Sequence, residues 1–348
     1  MNFTQDITNW YSNNKRNLPW RKTKNPYPIW LSEIIMQQTQ VKQGLPYYEA
    51  FVSHFPTVFD LANADEESIL KLWQGLGYYS RARNLHASAQ YIVNDLNGEF
   101  PSTFTELLKL KGVGDYTASA IASICYNEPA AVVDGNVYRV LSRYFGIDTP
   151  INSSKGIKTF KALATTLIDP VNPGDYNQAI MEFGAIQCKP VNPDCNVCPL
   201  NTSCIALQKN NVGALPVKLK KTKVTKKHFN FLVIISADKQ IVFEKRHRKG
   251  IWQNLYQFPL VETKSPLTPE EFKTEPKITS VFKDLTFEYH LYNTNERVHK
   301  LSHQHLYTKF WIVEVEQLPK KGISISELNR YPTPILISNF IDEFNFEF

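Results

Sequence analysis

The stretch from Leu107 to Leu141, LLKLKGVGDYTASAIASICYNEPAAVVDGNVYRVL, restricts what this chain can become more than any other. Two apolar helical segments are joined by Gly112-Val113-Gly114, which leaves room only for a tight hairpin. Glycine reaches positive φ and lets backbone approach a ligand closely. The N–H groups of such a turn, and of the helix that follows it, can hold a phosphate without reading sequence. The same residues also suit an ordinary helix–turn–helix corner in a core. From Asp115 onward, Ala118, Ile121, Ala122 and Ile124 can pack inward. Asp134 then opens another helix, in which Val137, Val140, Leu141 and Tyr144 recur at helical spacing. A carboxylate there reads as an N-cap, and a capping carboxylate can also face a substrate.

The 348 residues allow two or three domains. Residues 1–211 read as mostly helical. Leu31, Ile34, Ile35 and Gln38 share a face, and Leu61 to Leu76 keeps helical spacing through Ile69, Leu72 and Trp73. Ala162, Leu163 and Leu167 suggest a helix that ends before Pro170. Residues 212–228, VGALPVKLKKTKVTKKH, hold six lysines and few large apolar side chains, and read as an exposed basic linker. This is either a solvated tether or a segment that tracks a polyanion. Residues 229–348 change to strand patterning. Phe229 to Ser236 and Gln240 to Phe243 flank a turn at Ala237-Asp238-Lys239, and Tyr307 to Glu314 alternates. With short helices at Ile325 to Leu328 and Pro334 to Phe344, this third reads as a small α+β domain.

The net charge of +6 leans mildly toward polyanionic partners. The polar start, Met1 to Asp6, lacks the pattern of a secretory signal, and apolar runs such as Phe231 to Ile235 are too short to span a bilayer. The expectation is a soluble, cytoplasmic chain with no membrane partner. Of five cysteines, Cys125 stands in an apolar helix and reads as core. Cys188, Cys195, Cys198 and Cys204 have the spacing C-x6-C-x2-C-x5-C. Four thiolates this close in sequence suit one metal centre, and tetrahedral zinc and a [4Fe–4S] cluster both accept four sulfurs.

LKGVGDYTASAIAS, VVDGNVYRV and the four cysteines, in this order and spacing, resemble the helix-hairpin-helix base-excision DNA glycosylases that carry an iron–sulfur cluster. Residues 1–208 carry the likeness, and within it the adenine DNA glycosylase (MutY-type) branch is the better match. The resemblance implies a mostly α glycosylase region with a [4Fe–4S] cluster on Cys188, Cys195, Cys198 and Cys204. It implies an enzyme that acts on duplex DNA and removes adenine mispaired with 8-oxoguanine or guanine; a monomer is expected. It places Asp134 as the carboxylate that stabilises oxocarbenium-like charge on the sugar. Asn136 falls beside the reacting sugar and water.

Glu33, in YPIWLSEIIMQQTQV, reads either as an ordinary helix-surface acid or, if buried, as an acid of raised pKa. The resemblance gives it the second role, protonating adenine at N7. It further places Trp20, Arg21 and Met36 around the adenine, Gln38 and Thr39 against the mispaired bases, and Tyr78 as a wedge in the base stack. Tyr79 reads as core.

Tyr116 decides between two chemistries. The bifunctional branch, typified by endonuclease III, has a lysine at this place in the hairpin's second helix, and that amine forms a Schiff base. A phenol cannot, so the resemblance implies hydrolysis alone. Tyr116, Glu33 and the extra domain argue against an endonuclease III-like glycosylase/lyase. A non-catalytic DNA-binding scaffold would leave Glu33 and Asp134 together unexplained.

GIWQNLYQFPLVE resembles the start of a Nudix domain, but Thr263 to Lys273 lacks the carboxylate-rich helix of a working pyrophosphatase. The adenine branch uses such a domain to recognise 8-oxoguanine. Ser302 and His303 fall at its lesion-sensing loop, with Leu301 where an aromatic is common.

Overall fold

A computed structural model describes residues 2–219, 224–283 and 285–346. Contacts divide the chain into two units, one of Met1–Asn63 with Asn84–Lys220, the other of Ala64–Arg83 with Lys221–Phe348.

The first unit is helical. Its elements are α1 (Phe3–Asn14), α2 (Pro26–Ile35), α3 (Val41–His54), α4 (Val58–Asn63) and, past α5 (Glu66–Leu72) of the other unit, most of α6 (Ser80–Asp95). Then come α7 (Phe104–Leu107), α8 (Asp115–Tyr126), α9 (Gly135–Phe145), α10 (Ser154–Leu167), α11 (Pro173–Glu182) and α12 (Ile205–Gln208). The spacing read over Leu61 to Leu76 is broken into two helices, because Asp65 accepts from the Ser68 N–H and starts α5 afresh.

The core forms where α1, α8, α9 and α11 bury Ile7, Ala120, Val137, Leu141 and Ile180. The small residues of α8 let α11 approach so closely that a Cβ on Gly174 would stand 2.7 Å from the Ser123 carbonyl oxygen. Asn177, almost fully buried on α11, donates to Ser123 Oγ and Ala130 O and accepts from the Val132 N–H. It thereby anchors the extended segment that leads to Asp134.

The second unit is α+β. A mixed sheet runs in the order β6 (Phe287–Leu291), β8 (Gln304–Val315), β1 (Thr225–Ser236), β2 (Gln240–Ile241), β9 (Ile323–Ser324). Strands β5 (Leu260–Thr263) and β7 (Arg297–Lys300) pair with β1 and β8, and β3 (Glu244–Lys245) pairs separately with β4 (Tyr256–Gln257). β1 and β8 are parallel from Thr225↔Gln304 to Ser236↔Val315. A central strand covered on both faces needs a continuous apolar run, and Phe231 to Ile235 supplies it. The hairpin expected at 237–239 is present, with Ile235 opposite Ile241. Helices α13 (Pro269–Phe272), α14 (Pro276–Phe282) and α15 (Ile335–Glu343) complete the unit.

Two expectations need correction. The basic linker over 212–228 is not a free tether along its described length. Leu215 is buried, Val217 O accepts from the Ile151 N–H, and Thr225 to His228 already belong to β1. Lysine content hid the pairing potential of the intervening backbone; residues 220–223 of that stretch lie outside the described residues. The second correction is that helical residues 64–83 are not part of the first unit. Glu66 accepts from Asn254, Glu67 from Lys245 and Tyr256, and the Gln74 side chain bonds Thr333 N and Ser338 Oγ.

Candidate active site

Asp134 takes its place from its own helix. One carboxylate oxygen accepts the Asn136 and Val137 N–H groups at 2.8 Å each, and the other accepts Asn136 Nδ2 at 2.7 Å. It is both the cap of α9 and a group partly open to solvent. Burial raises its pKa, while the Val137 and Asn136 hydrogen bonds pull it back down; burial wins. The α9 N-terminus favours the ionised form.

Asn136 is fixed from its other side. Its Oδ1 accepts from Arg139 Nη2 at 2.8 Å, and the same guanidinium donates to Gly184 O at 2.6 Å and Cys188 O at 2.7 Å. A side chain at Gly184 would force this contact to shift, since a Cβ would stand 2.7 Å from Asn136 Cβ. Arg139 therefore joins the aspartate, the asparagine and the start of the cysteine segment into one network.

Glu33, near the end of α2, is partly reached by solvent, yet its carboxyl is enclosed by protein. Enclosure pushes its pKa up to about 7. A hydrogen bond from Tyr116 lowers it, the nearby Asp134 raises it and the Arg21 charge lowers it. The Tyr116 hydroxyl also lies 3.2 Å from Met181 Sδ. A carboxylate accepts far more strongly than a thioether, so the phenol proton goes to ionised Glu33. Burial, with Glu33 and Asp134 near, holds Tyr116 firmly as a neutral phenol.

Arg21 is held by Glu182, at 3.0 Å to Oε1 and 2.8 Å to Oε2, and Arg16 makes a second fork to the same carboxylate. Trp20 stands edge-on to Tyr48 at 5.0 Å. Met36 packs over Gly44, where a Cβ would stand 2.6 Å from its Sδ. Gln38 is exposed and has a φ of 56°, and Thr39 follows it. Left-handed backbone in a non-glycine residue is costly and tends to mark function.

The hairpin glycines differ in what they require. Gly112 has a φ of 79° and would push its Cβ into Asn84. Gly114 caps α8 with no side-chain bond, and nothing stands within 4 Å of where its Cβ would be.

In the second unit, Tyr78 is half exposed with a φ of 49°. Its hydroxyl is 2.5 Å from Ser302 Oγ, and the Arg81 guanidinium lies 5.9 Å from its ring. Ser302 and His303 are exposed. Tyr79 is core, as read, and donates to Thr333 O. In the segment where a Nudix hydrolase keeps its acids, Glu271 is spent on capping α13: its carboxylate accepts the Thr268 N–H at 2.9 Å.

Cys188, Cys195, Cys198 and Cys204 line one apolar cavity with Val140, Phe183 and Leu200. Arg143 reaches Cys188 Sγ at 3.4 Å and Lys189 O at 2.7 Å. Among the described residues no three His, Cys, Asp or Glu side chains converge on a single metal ion; the four thiols surround a space instead. Four soft donors around an apolar cavity fit an iron–sulfur cluster. Cys125 is half-buried on α8, and burial pushes its thiol up to about 12.

The structure thus brings together Glu33, Tyr116, Asp134, Asn136 and Arg21. Arg139, Glu182 and Gly184 escaped the sequence reading. The signal for Arg139 was present: it and Arg143 lie one helical turn apart among the apolar positions of α9, and both are buried.

A glycine hairpin, a capping aspartate and a buried acid lie together in one helical unit, which fits the helix-hairpin-helix base-excision DNA glycosylases that the sequence resembles. Residues 31–164 match the HhH-GPD superfamily of base excision DNA repair proteins, and residues 230–343 match the NUDIX domain. Adenine DNA glycosylase of Buchnera aphidicola subsp. Schizaphis graminum is 39% identical over 293 residues, 84% of each chain. The rat adenine DNA glycosylase is 44% identical over 222 residues, 61% of this chain and 43% of that one. The solved structure of a thermostable thymine-DNA glycosylase superposes with a TM-score of 0.55 at 31% identity, covering 60% of this chain and 95% of that one. The chain belongs to the adenine DNA glycosylases, hydrolases of base excision repair.

Proposed function

We propose that this enzyme removes adenine opposite 8-oxoguanine, or opposite guanine, from duplex DNA by hydrolysis without a lyase step. Tyr116 carries this reading. The phenol stands in the hairpin's second helix and is hydrogen-bonded to Glu33. It cannot form a Schiff base, and it leaves Glu33 as the proton source.

Glu33 protonates adenine N7 and turns the base into a better leaving group. Ionised Asp134 stabilises the charge that develops at C1′, and Asn136 orients water beside it. Arg21, Trp20 and Met36 surround the base. The hairpin glycines Gly112 and Gly114 present N–H groups to a phosphate. Gln38, Thr39 and Tyr78 contact the opened duplex. Ser302 and His303 sense the 8-oxoguanine partner, and the Nudix-like unit serves recognition rather than pyrophosphate hydrolysis. Cys188, Cys195, Cys198 and Cys204 would hold a [4Fe–4S] cluster, which ties their loop together. The enzyme works as a monomer in the cytoplasm; among the described residues no helix is long and apolar enough to cross a membrane.

The test is single-turnover reaction on a duplex with adenine opposite 8-oxoguanine. Free adenine is expected, with strand breakage only after hot alkali. A covalent adduct trapped by borohydride would overturn the hydrolytic reading, and binding without base loss would overturn the catalytic one.

A further inference from the structure

The hairpin carries a charge that a phosphate grip does not call for. Asp115, first residue of α8, sets a carboxylate beside the N–H groups of that turn, and its side chain is 57% exposed. Gly114 leaves the turn open. Left alone, that carboxylate would repel the phosphate the turn is shaped to hold.

Lys161 answers from α10. Its Nζ lies 2.6 Å from Asp115 Oδ1, 3.1 Å from Ser119 Oγ and 2.7 Å from Ala131 O. An ammonium has three protons, and these three acceptors use them all. The same ammonium stands 5.5 Å from the ring of Phe104, the first residue of α7. It therefore touches the helix before the hairpin, the helix after it, and the segment leading to Asp134. Its side chain is the less exposed partner of the pair, at 30%.

We propose that Lys161 is a charge-compensating, positioning residue for the hairpin: it cancels the Asp115 carboxylate so that the α8 N-terminus can accept a DNA phosphate. The inference rests on the hairpin's being the phosphate grip.

The experiment measures binding of the full-length protein to a duplex whose adenosine, paired with 8-oxoguanine, carries a 2′-fluorine that resists hydrolysis. Lys161→Met uncovers the acid and is expected to weaken binding about fivefold at low salt, the gap closing as salt rises. Asp115→Asn is expected to bind at least as tightly as the parent. The double variant Lys161→Met/Asp115→Asn should recover most of the loss, because the repelling charge is gone. Lys161→Arg keeps the cation and should bind as the parent does. If the double variant stays as weak as Lys161→Met, the lysine acts only through its bonds to Ser119 and Ala131, and the proposal fails. Gly114→Glu reports on the hairpin by itself. If it weakens binding while Lys161→Met does not, the Lys161 inference alone is wrong. If Gly114→Glu and Lys161→Met both bind normally, the hairpin is not the grip and both readings fall.

Discussion

The Tyr116 hydroxyl lies between two acceptors, the Glu33 carboxyl and Met181 Sδ at 3.2 Å. When Glu33 is ionised the phenol proton belongs to it. When Glu33 is protonated, its own O–H can turn to the phenol oxygen and the phenol proton to sulfur. The tyrosine thus accommodates both protonation states of the acid.

In the proposed mechanism Glu33 donates a proton, so it is active only when protonated. With its pKa at about 7, excision is expected to hold below that value and fall as pH rises through it. Stability follows the same sign. The raised pKa means the protonated form suits the fold, so stability declines from the ordinary carboxylate range up to about 7. Glu33→Gln should lower single-turnover excision about 10²- to 10⁴-fold while mismatch binding persists. Near-normal excision by this variant would remove Glu33 from the chemistry.

Tyr116→Phe takes away a hydrogen bond that lowers the Glu33 pKa. The alkaline limb of the excision profile should therefore move to higher pH. A limb that stays put, or moves down, would show that the phenol does not tune this acid.

Glu182 is nearly fully buried under two guanidinium forks. Burial alone would raise its pKa, but the Arg16 and Arg21 hydrogen bonds outweigh it and bring it to about 2. A depressed carboxylate contributes stability above about 4.5, and that contribution is lost as pH falls toward about 2. Glu182→Gln should cost about 3 kcal/mol, the low end for a broken buried pair because Arg16 is 38% exposed. Denaturant unfolding at pH 7 and pH 3 checks this: the difference between variant and parent should shrink at the lower pH.

Gly184→Ala places a methyl group against Asn136 Cβ and the Asn136 carbonyl oxygen. The expected stability loss is about 1–3 kcal/mol, and excision should fall more than binding because Asn136 is displaced from Asp134. Equal loss of both would mean the contact is only structural.

Cys198→Ser removes one thiol from the cavity. The purified parent should be brown, with the variant bleached or unstable in air. A colourless, zinc-loaded parent would exclude the cluster.

The sequence determined what local rules can carry. The helical spacing of Val137, Val140 and Leu141, the capping role of Asp134, the β1–β2 turn and the cysteine spacing all depend on near neighbours. Only the family resemblance made the phenol at position 116 an expectation of hydrolysis rather than Schiff-base chemistry. Tertiary structure decided the rest, because the deciding partners are distant in sequence. The Glu33 pKa reaches about 7 only because the fold encloses its carboxyl and sets Asp134 near it. Arg139 binds Asn136 only because Gly184 leaves room for the chain that carries its other acceptors. Tyr78 meets Ser302 across 224 residues, and residues 64–83 fold with the C-terminal unit although the chain places them among the N-terminal helices. Hydrophobic period tells a helix which face to bury, but it does not say against what. Electrostatic environment depends on that choice of partner, so the pKa of Glu33 and the pairing of Lys161 with Asp115 were visible only in the folded chain.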